Sequence, residues 1–493
     1  MPLSLSRRHF LGASAALAAS YALPPLAQAR TSPFLLTASR RTLDIDGKAA
    51  SVYGLVNSQG AIGLTLDPGQ TFRTDLTNNL DAETIIHWHG QIPPNAQDGV
   101  PDLPAPLLKP GETRSYDYAP TPGTHWMHSH VPNQEMQLLA AALIVRSAAD
   151  LAEDRQEVVM FLHDFSFKSP QEVLAAFGSM SDGGMAGMDH SNRGQGGDMA
   201  MSGGVMPMDG MGAGGMTGSG MAMDLNDFDF DAYLTNDRTL NDPELVTVAP
   251  GGRIRLRIIN AAAATVFWID TGRVEGRLIA VDGHGVQPLA GHRFGLAMGQ
   301  RLDIALDLPP EGGAFPILAL REGARERTGL ILASAGASVP RIERLGTEAA
   351  PAFDADLAQE LSLRAQEPLP ERTATNRPML MLGGTMQPYV WTINGQTWAT
   401  HIPVTAQSGE RVEITFHNMS MMAHPMHLHG HTFQVVAING KRFAGARRDT
   451  VQVPPMAMVT VALDAGEAAR WMLHCHHMPH LASGMMTEFA VSA

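Results

Sequence analysis

The sequence predicts an all-β protein organised as three β-sandwich domains, and two observations carry that prediction. Short apolar runs alternate with polar residues and are closed off by Asp, Pro, Gly and Asn turns, the signature of strands joined by tight connections. This pattern breaks off and resumes twice, once around a low-complexity stretch and once at an acidic connector. A chain of 493 residues with 44% hydrophobic content is long enough to build several separate cores.

Residues 1–29 read as an export address: Ser6-Arg7-Arg8-His9-Phe10-Leu11, an Ala/Leu-rich run, and Ala27-Gln28-Ala29 as a small-residue cleavage site. This is a twin-arginine signal, which predicts handling by the twin-arginine export machinery and a periplasmic destination. An anchoring helix is the weaker reading, because the apolar run is short and holds Pro24 and Pro25. No later stretch is apolar enough to span a membrane. Removing the signal deletes Arg7 and Arg8 and no acid, so the chain becomes more acidic than its full-length net charge of -14, which argues against nucleic acid as a partner.

The first domain is placed at residues 30–150. Its strands include Leu64-Thr65-Leu66 and Phe72-Arg73-Thr74-Asp75-Leu76, and it carries two His-x-His pairs, His87-Trp88-His89 and His128-Ser129-His130. A strand aims both histidines of such a pair from one face. Zinc-dependent hydrolases use similar pairs, usually with an acidic ligand close by, and neither pair has one adjacent. Asp98 is the nearest candidate carboxylate, and its plain alternative is a turn residue in Ala96-Gln97-Asp98-Gly99.

The second domain is placed at 151–340, with strands at Glu157-Val158-Val159-Met160-Phe161-Leu162 and Arg253 to Asn260, and a hairpin turn at Asp282-Gly283. His284 and His292 have no His-x-His partner and are expected not to be ligands. Residues 178–224 form an insert with 15 glycines and 11 of the 29 methionines, and with His190 among them. Such a composition cannot bury a core. A plain linker would use Gly and Ser; thioethers select Cu(I) over harder cations, so copper capture is expected, with Met185, Met188, Met206, Met208 and Met211 as candidate ligands.

Residues 341–375, rich in Ala and Pro, read as a connector. The third domain, 376–493, carries His424-Pro425-Met426-His427-Leu428-His429 and a second turn at Asn439-Gly440. It ends on His474-Cys475-His476-His477-Met478-Pro479-His480-Leu481-Ala482-Ser483-Gly484-Met485. Cys475 is the only cysteine, so no internal disulfide can form, and in an oxidising compartment two flanking histidines favour occupation by metal. On a strand the cysteine would face one way and its two neighbours the other, so one tripeptide could serve two centres. A thiolate, two imidazoles and a distant thioether are the ligands of a blue electron-transfer copper, and His424, Cys475, His480 and Met485 supply that set. Four His-x-His pairs then leave eight imidazoles, which suit three further coppers.

These motifs, HWHG, HSH, HPMHLHG and HCHHMPHLASGM, resemble those of the three-domain multicopper oxidases along nearly the whole chain past the signal. The resemblance implies cupredoxin-like Greek-key sandwiches and four copper ions per chain. It implies type 1 copper at His424, Cys475, His480 and Met485, and type 2 copper at His87 and His427. One type 3 copper would take His89, His128 and His476, and the other His130, His429 and His474. Electrons would leave Cys475 through His474 and His476 toward O2, and Asp98 matches a position implicated in proton delivery. Many bacterial relatives carry a glutamate after the second type 1 histidine, where this chain has Leu481.

Within that family the signal and the insert look like the periplasmic copper-tolerance oxidases, which oxidise Cu(I). Met421 and Met422 keep the sulfur that relatives place before the third motif, but Ser420 stands where they carry an acid. The alternative is a laccase acting on small aromatic reductants, phenols or aromatic amines. A copper nitrite reductase lacks the four complete motifs, and a copper store or carrier would need no O2 chemistry. A monomer is expected.

Overall fold

The computed structural model describes residues 32–183, 225, 228–353 and 356–493. The proposed signal, and Met185, Met188, His190, Met206, Met208 and Met211, lie outside the described residues. The chain is nearly all-β, and its strands form three successive pairs of sheets. Two four-stranded sheets come from strands between Phe34 and Val145. A six-stranded and a five-stranded sheet come from strands between Gln156 and Ser334, and a seven-stranded and a five-stranded sheet from strands between Met379 and Ser492.

The three pairs repeat one topology. In each, the opening strand pairs in parallel with a later one: Phe34–Ile45 with Phe72–Asn78, Gln156–Phe165 with Arg253–Asn260, and Met379–Met386 with Arg411–Asn418. The facing sheets repeat a second parallel pairing: Leu64–Leu66 with Ala140–Val145, Leu245–Val248 with Arg327–Ser334, and Val404–Gln407 with Met486–Ser492. Parallel neighbours need crossover connections, so each unit closes as a sandwich with crossed chain paths. Alternation along the strands fills the space between the sheets. In Arg411–Asn418, Val412, Ile414 and Phe416 enter the core while Thr415 and His417 face outward.

Two turns are as the sequence demands. Asp282-Gly283 and Asn439-Gly440 both sit at positive φ, the conformation that two-residue hairpins with right-handed strand twist require. The described residues of 341–375 carry one short helix, Ala358–Ser362, and little other regular structure. Among the described residues, no helix is long and apolar enough to cross a membrane.

Candidate metal centres

Four short segments deliver the histidines to one place. Ile86–His89 pairs antiparallel with Gly123–Ser129, setting His87 opposite His128, and His424–Leu428 pairs antiparallel with Arg470–Cys475, setting His427 opposite His474. The strand ends at Cys475, and His476 begins the bend before the helix Met478–Ala482. That helix, not visible in the sequence pattern, returns His480 toward Cys475.

The first centre is compact. Cys475 Sγ lies 3.7 Å from His424 Nδ1 and 3.6 Å from His480 Nδ1, and the two nitrogens are 3.1 Å apart. All three side chains are fully buried. Met485 is buried in the same core cluster, and its main-chain carbonyl accepts the Cys475 N–H at 3.1 Å. Ser420 is hydrogen-bonded to His424 Nε2 at 2.9 Å and so helps turn the ring's Nδ1 toward the sulfur.

The second centre gathers the other eight imidazoles. His429 Nε2 and His474 Nε2 are 3.1 Å apart, with His130 in the same group, and His87 Nε2 and His427 Nε2 are 3.4 Å apart. His89, His128 and His476 have ring centroids 5.1 to 5.6 Å from one another. Outer nitrogens are held by the protein. His87 Nδ1 donates to the Asp98 carbonyl at 2.8 Å, His427 Nδ1 to the Asp449 carbonyl at 2.9 Å, and His474 Nδ1 to the Cys475 carbonyl at 2.9 Å. Fixing one nitrogen leaves the other to face inward in a single tautomer. His89 is turned the other way, with Nε2 on Asp449 at 3.1 Å and Nδ1 left unpartnered.

These residues fit copper. Although buried, His89 Nδ1, His128 Nε2, His130 Nε2 and both nitrogens of His476 have no hydrogen-bond partner. Each such atom costs on the order of 1–3 kcal/mol, which coordination would offset. Burial, the largest cause, holds His89, His128, His130, His424, His429, His474, His476 and His480 well below the usual imidazole range, so they are neutral and ready to ligate. Burial also pushes the Cys475 thiol up, so metal binding there must displace a proton.

Asp98 lies beside this cluster. The structure seats it at the end of the short 3-10 turn Asn95–Gln97, with its carboxylate accepting from His429 Nδ1 at 2.8 Å. Two further acids carried no signal in the sequence. Glu135 accepts from His128 Nδ1 at 2.8 Å, and its burial pushes its carboxyl well above the usual range. Asp449 is buried among His89, His427 and Arg301; burial alone would raise its pKa, but Arg301 at 2.7 Å holds it well below the usual carboxylate range. Gly90, at positive φ directly after His89, makes room for this approach, since a Cβ there would run into Arg301 and His125. His292 is exposed, and His284 lies in a hairpin outside both centres.

A fold of three paired sheets around one thiolate-imidazole centre and one eight-imidazole cluster defines a copper oxidase of the cupredoxin type. Three family models described as multicopper oxidase match residues 38–150, 215–335 and 372–493. The chain is 31% identical over 488 residues to the multicopper oxidase MmcO of Mycobacterium tuberculosis, covering 97% of this chain and 90% of that one. It is 26% identical to copper resistance protein A of Escherichia coli, covering 96% and 94% of the two chains. Among solved structures, the multicopper oxidase Fet3p superposes with a TM-score of 0.73 at 17% identity, over 93% of this chain and 90% of that one. The protein belongs to the multicopper oxidases; it is an oxidoreductase with copper as cofactor.

Proposed function

We propose that this multicopper oxidase takes electrons singly from Cu(I) and delivers them to O2, in the periplasm. Four Cu(I), one O2 and four protons give four Cu(II) and two waters. The supporting observation is a pocket beside the Cys475 centre, lined by Met298, Met421, Met422, Glu322 and His477. Thioethers favour Cu(I). Met421 is 67% exposed at the mouth, whereas His477 is buried and its ring stacks on His480 at 3.8 Å between centroids. Burial pushes Glu322 up to about 7, so an arriving cation would favour its ionised form.

In this reading each chain would take four coppers: His424, Cys475, His480 and Met485 would hold a type 1 copper, His87 and His427 a type 2 copper, and His89, His128 and His476 together with His130, His429 and His474 a type 3 pair. When bound they supply one-electron acceptance at the sulfur site and four-electron reduction of O2 at the imidazole cluster. Cys475 and its neighbours His474 and His476 join the two sites through covalent bonds. Asp98, whose Oδ1 has no hydrogen-bond partner, would pass protons inward in this reading. Met185, Met188, Met206, Met208 and Met211 complete the proposal as collectors of Cu(I).

The apolar side of the same pocket, Ala264, Val266 and Phe353, favours a second reading, a laccase acting on phenols or aromatic amines. Relatives include laccase-2 of Podospora anserina, 26% identical over 93% of this chain and 78% of that one. The test is O2 uptake with Cu(I) and with a phenol, in the full chain and in Met421→Leu/Met422→Leu. Loss of Cu(I) turnover with phenol turnover retained supports the cuprous reading. Equal loss of both, or of neither, overturns it.

A further inference from the structure

We propose that a row of three outward-facing side chains, Met381, His417 and Met458, is a separate binding site for a soft monovalent cation. That the ion in the cell is Cu(I) rests on the cuprous reading above; the site itself does not. The row follows from strand register. Met379–Met386 pairs in parallel with Arg411–Asn418, which sets Met381 beside His417. Arg411–Asn418 pairs antiparallel with Met458–Asp464, which sets His417 beside Met458. The imidazole therefore stands between two thioethers on three adjacent strands.

Alternation shows that all three point away from the core. Leu380 and Leu382, Phe416, and Val459 are buried in the cluster between the sheets, whereas Met381, His417 and Met458 are each partly exposed. The next row along the same face calibrates the approach: Thr415 and Thr460 occupy equivalent places one pair over, and their hydroxyl oxygens are 2.9 Å apart. Directly opposed residues have Cβ atoms about 4.5–5.5 Å apart, so two unbranched methionines can each swing a sulfur over the central ring.

Two thioethers and one imidazole nitrogen form a soft donor set, suited to Cu(I) and poor for Ca, Mg or Zn. The position is also apt. Exposed Met379, Met419, Met421 and Met456 surround this end of the sheet in sequence, and the segment from His417 leads in seven residues to His424 of the sulfur centre. Asn418, directly after His417, ties the strand's end to the segment that leads to the pocket, its side chain donating to the Met422 carbonyl at 2.7 Å.

The test uses Ag(I), a redox-inert stand-in for Cu(I), on the full-length protein, with peroxide oxidation of each methionine followed by mass spectrometry. Coordinated sulfur resists oxidation, so Ag(I) should slow oxidation of Met381 and Met458 together, severalfold, and His417→Phe should abolish the effect. In a second arm, Ag(I) should protect His417 from diethyl pyrocarbonate, and Met381→Leu/Met458→Leu should remove that protection. Oxidation of Met381 and Met458 at the same rate with and without Ag(I) overturns the site. So does equal protection of Met379, whose row-mates are threonines. Either result leaves the O2-uptake comparison of Cu(I) with phenol intact, so the two readings fail separately.

Discussion

The Asp98 carboxylate accepts the Nδ1–H of His429 at 2.8 Å, bridging 331 residues of sequence. The same residue's main-chain carbonyl holds His87, so one buried side chain and its own peptide orient a ring from each of two sandwiches. Asp98→Asn keeps the size and an acceptor oxygen but removes the charge. The expected result is copper retained, with reoxidation by O2 slowed about 10–100-fold, the usual cost of disturbing a partner behind a metal-binding histidine. Stopped-flow mixing of the reduced protein with O2 measures it. Reoxidation at the unchanged rate would show that Asp98 is only a turn residue.

Arg301 and Asp449 are both fully buried and meet at 2.7 Å behind His89. Arg301→Met should therefore cost about 3–5 kcal/mol, because it strands a carboxylate in the interior. Adding Asp449→Asn should recover part of that loss, although neither single change removes much apolar contact. Urea denaturation of the three variants decides; a double variant no more stable than Arg301→Met would mean that lost packing and not the lone charge is responsible.

Cys475 is the only thiol and is fully buried between two imidazoles. Serine is close to cysteine in size but is a hard, weak ligand for copper. Cys475→Ser should fold, lose the intense blue band, lose turnover with Cu(I) and with phenol, and bind one copper fewer. Metal analysis with visible absorption tests this, and a variant that stays blue would contradict the assignment of the sulfur.

The site was more legible in the sequence than its surroundings. A candidate ligand such as His424 or Cys475 is written in a local motif, because metal chemistry dictates residue type and strand geometry dictates spacing. The turns at Asp282-Gly283 and Asn439-Gly440 were legible for the same local reason. Glu135 and Asp449 were not, since an isolated acid in a one-turn helix or a bend carries no mark of what it will face. Asp449 meets Arg301 only through the assembly of the second and third sandwiches, a contact set by tertiary packing. The twice-repeated parallel pairing in each unit was hidden too, because alternation of apolar residues reports which face is buried and not which strand lies alongside.

His163 offers a prediction free of the metal ligands. It is buried, its Nδ1 donates to the Ala261 carbonyl at 3.1 Å, and burial, the largest cause, lowers its pKa to about 4. In the unfolded chain an imidazole titrates near 6.5. Above pH 7 both states are neutral and the residue contributes nothing to the pH dependence. As pH falls from 6.5 toward 4, the unfolded chain takes up a proton that the folded one refuses, so the fold loses stability, reaching about 3 kcal/mol at 1.36 kcal/mol per pH unit. Glu322, raised to about 7, acts in the opposite sense over the same window, because the unfolded chain is the first to give up its proton as pH rises. Comparison with a variant isolates the histidine from such opposing groups. His163→Phe should cost some stability at pH 7.5 through the lost hydrogen bond, yet narrow its deficit against the parent as pH falls to 5. Urea midpoints at the two pH values measure the difference, and a deficit that stays constant across them would show that His163 is protonated in the folded protein after all.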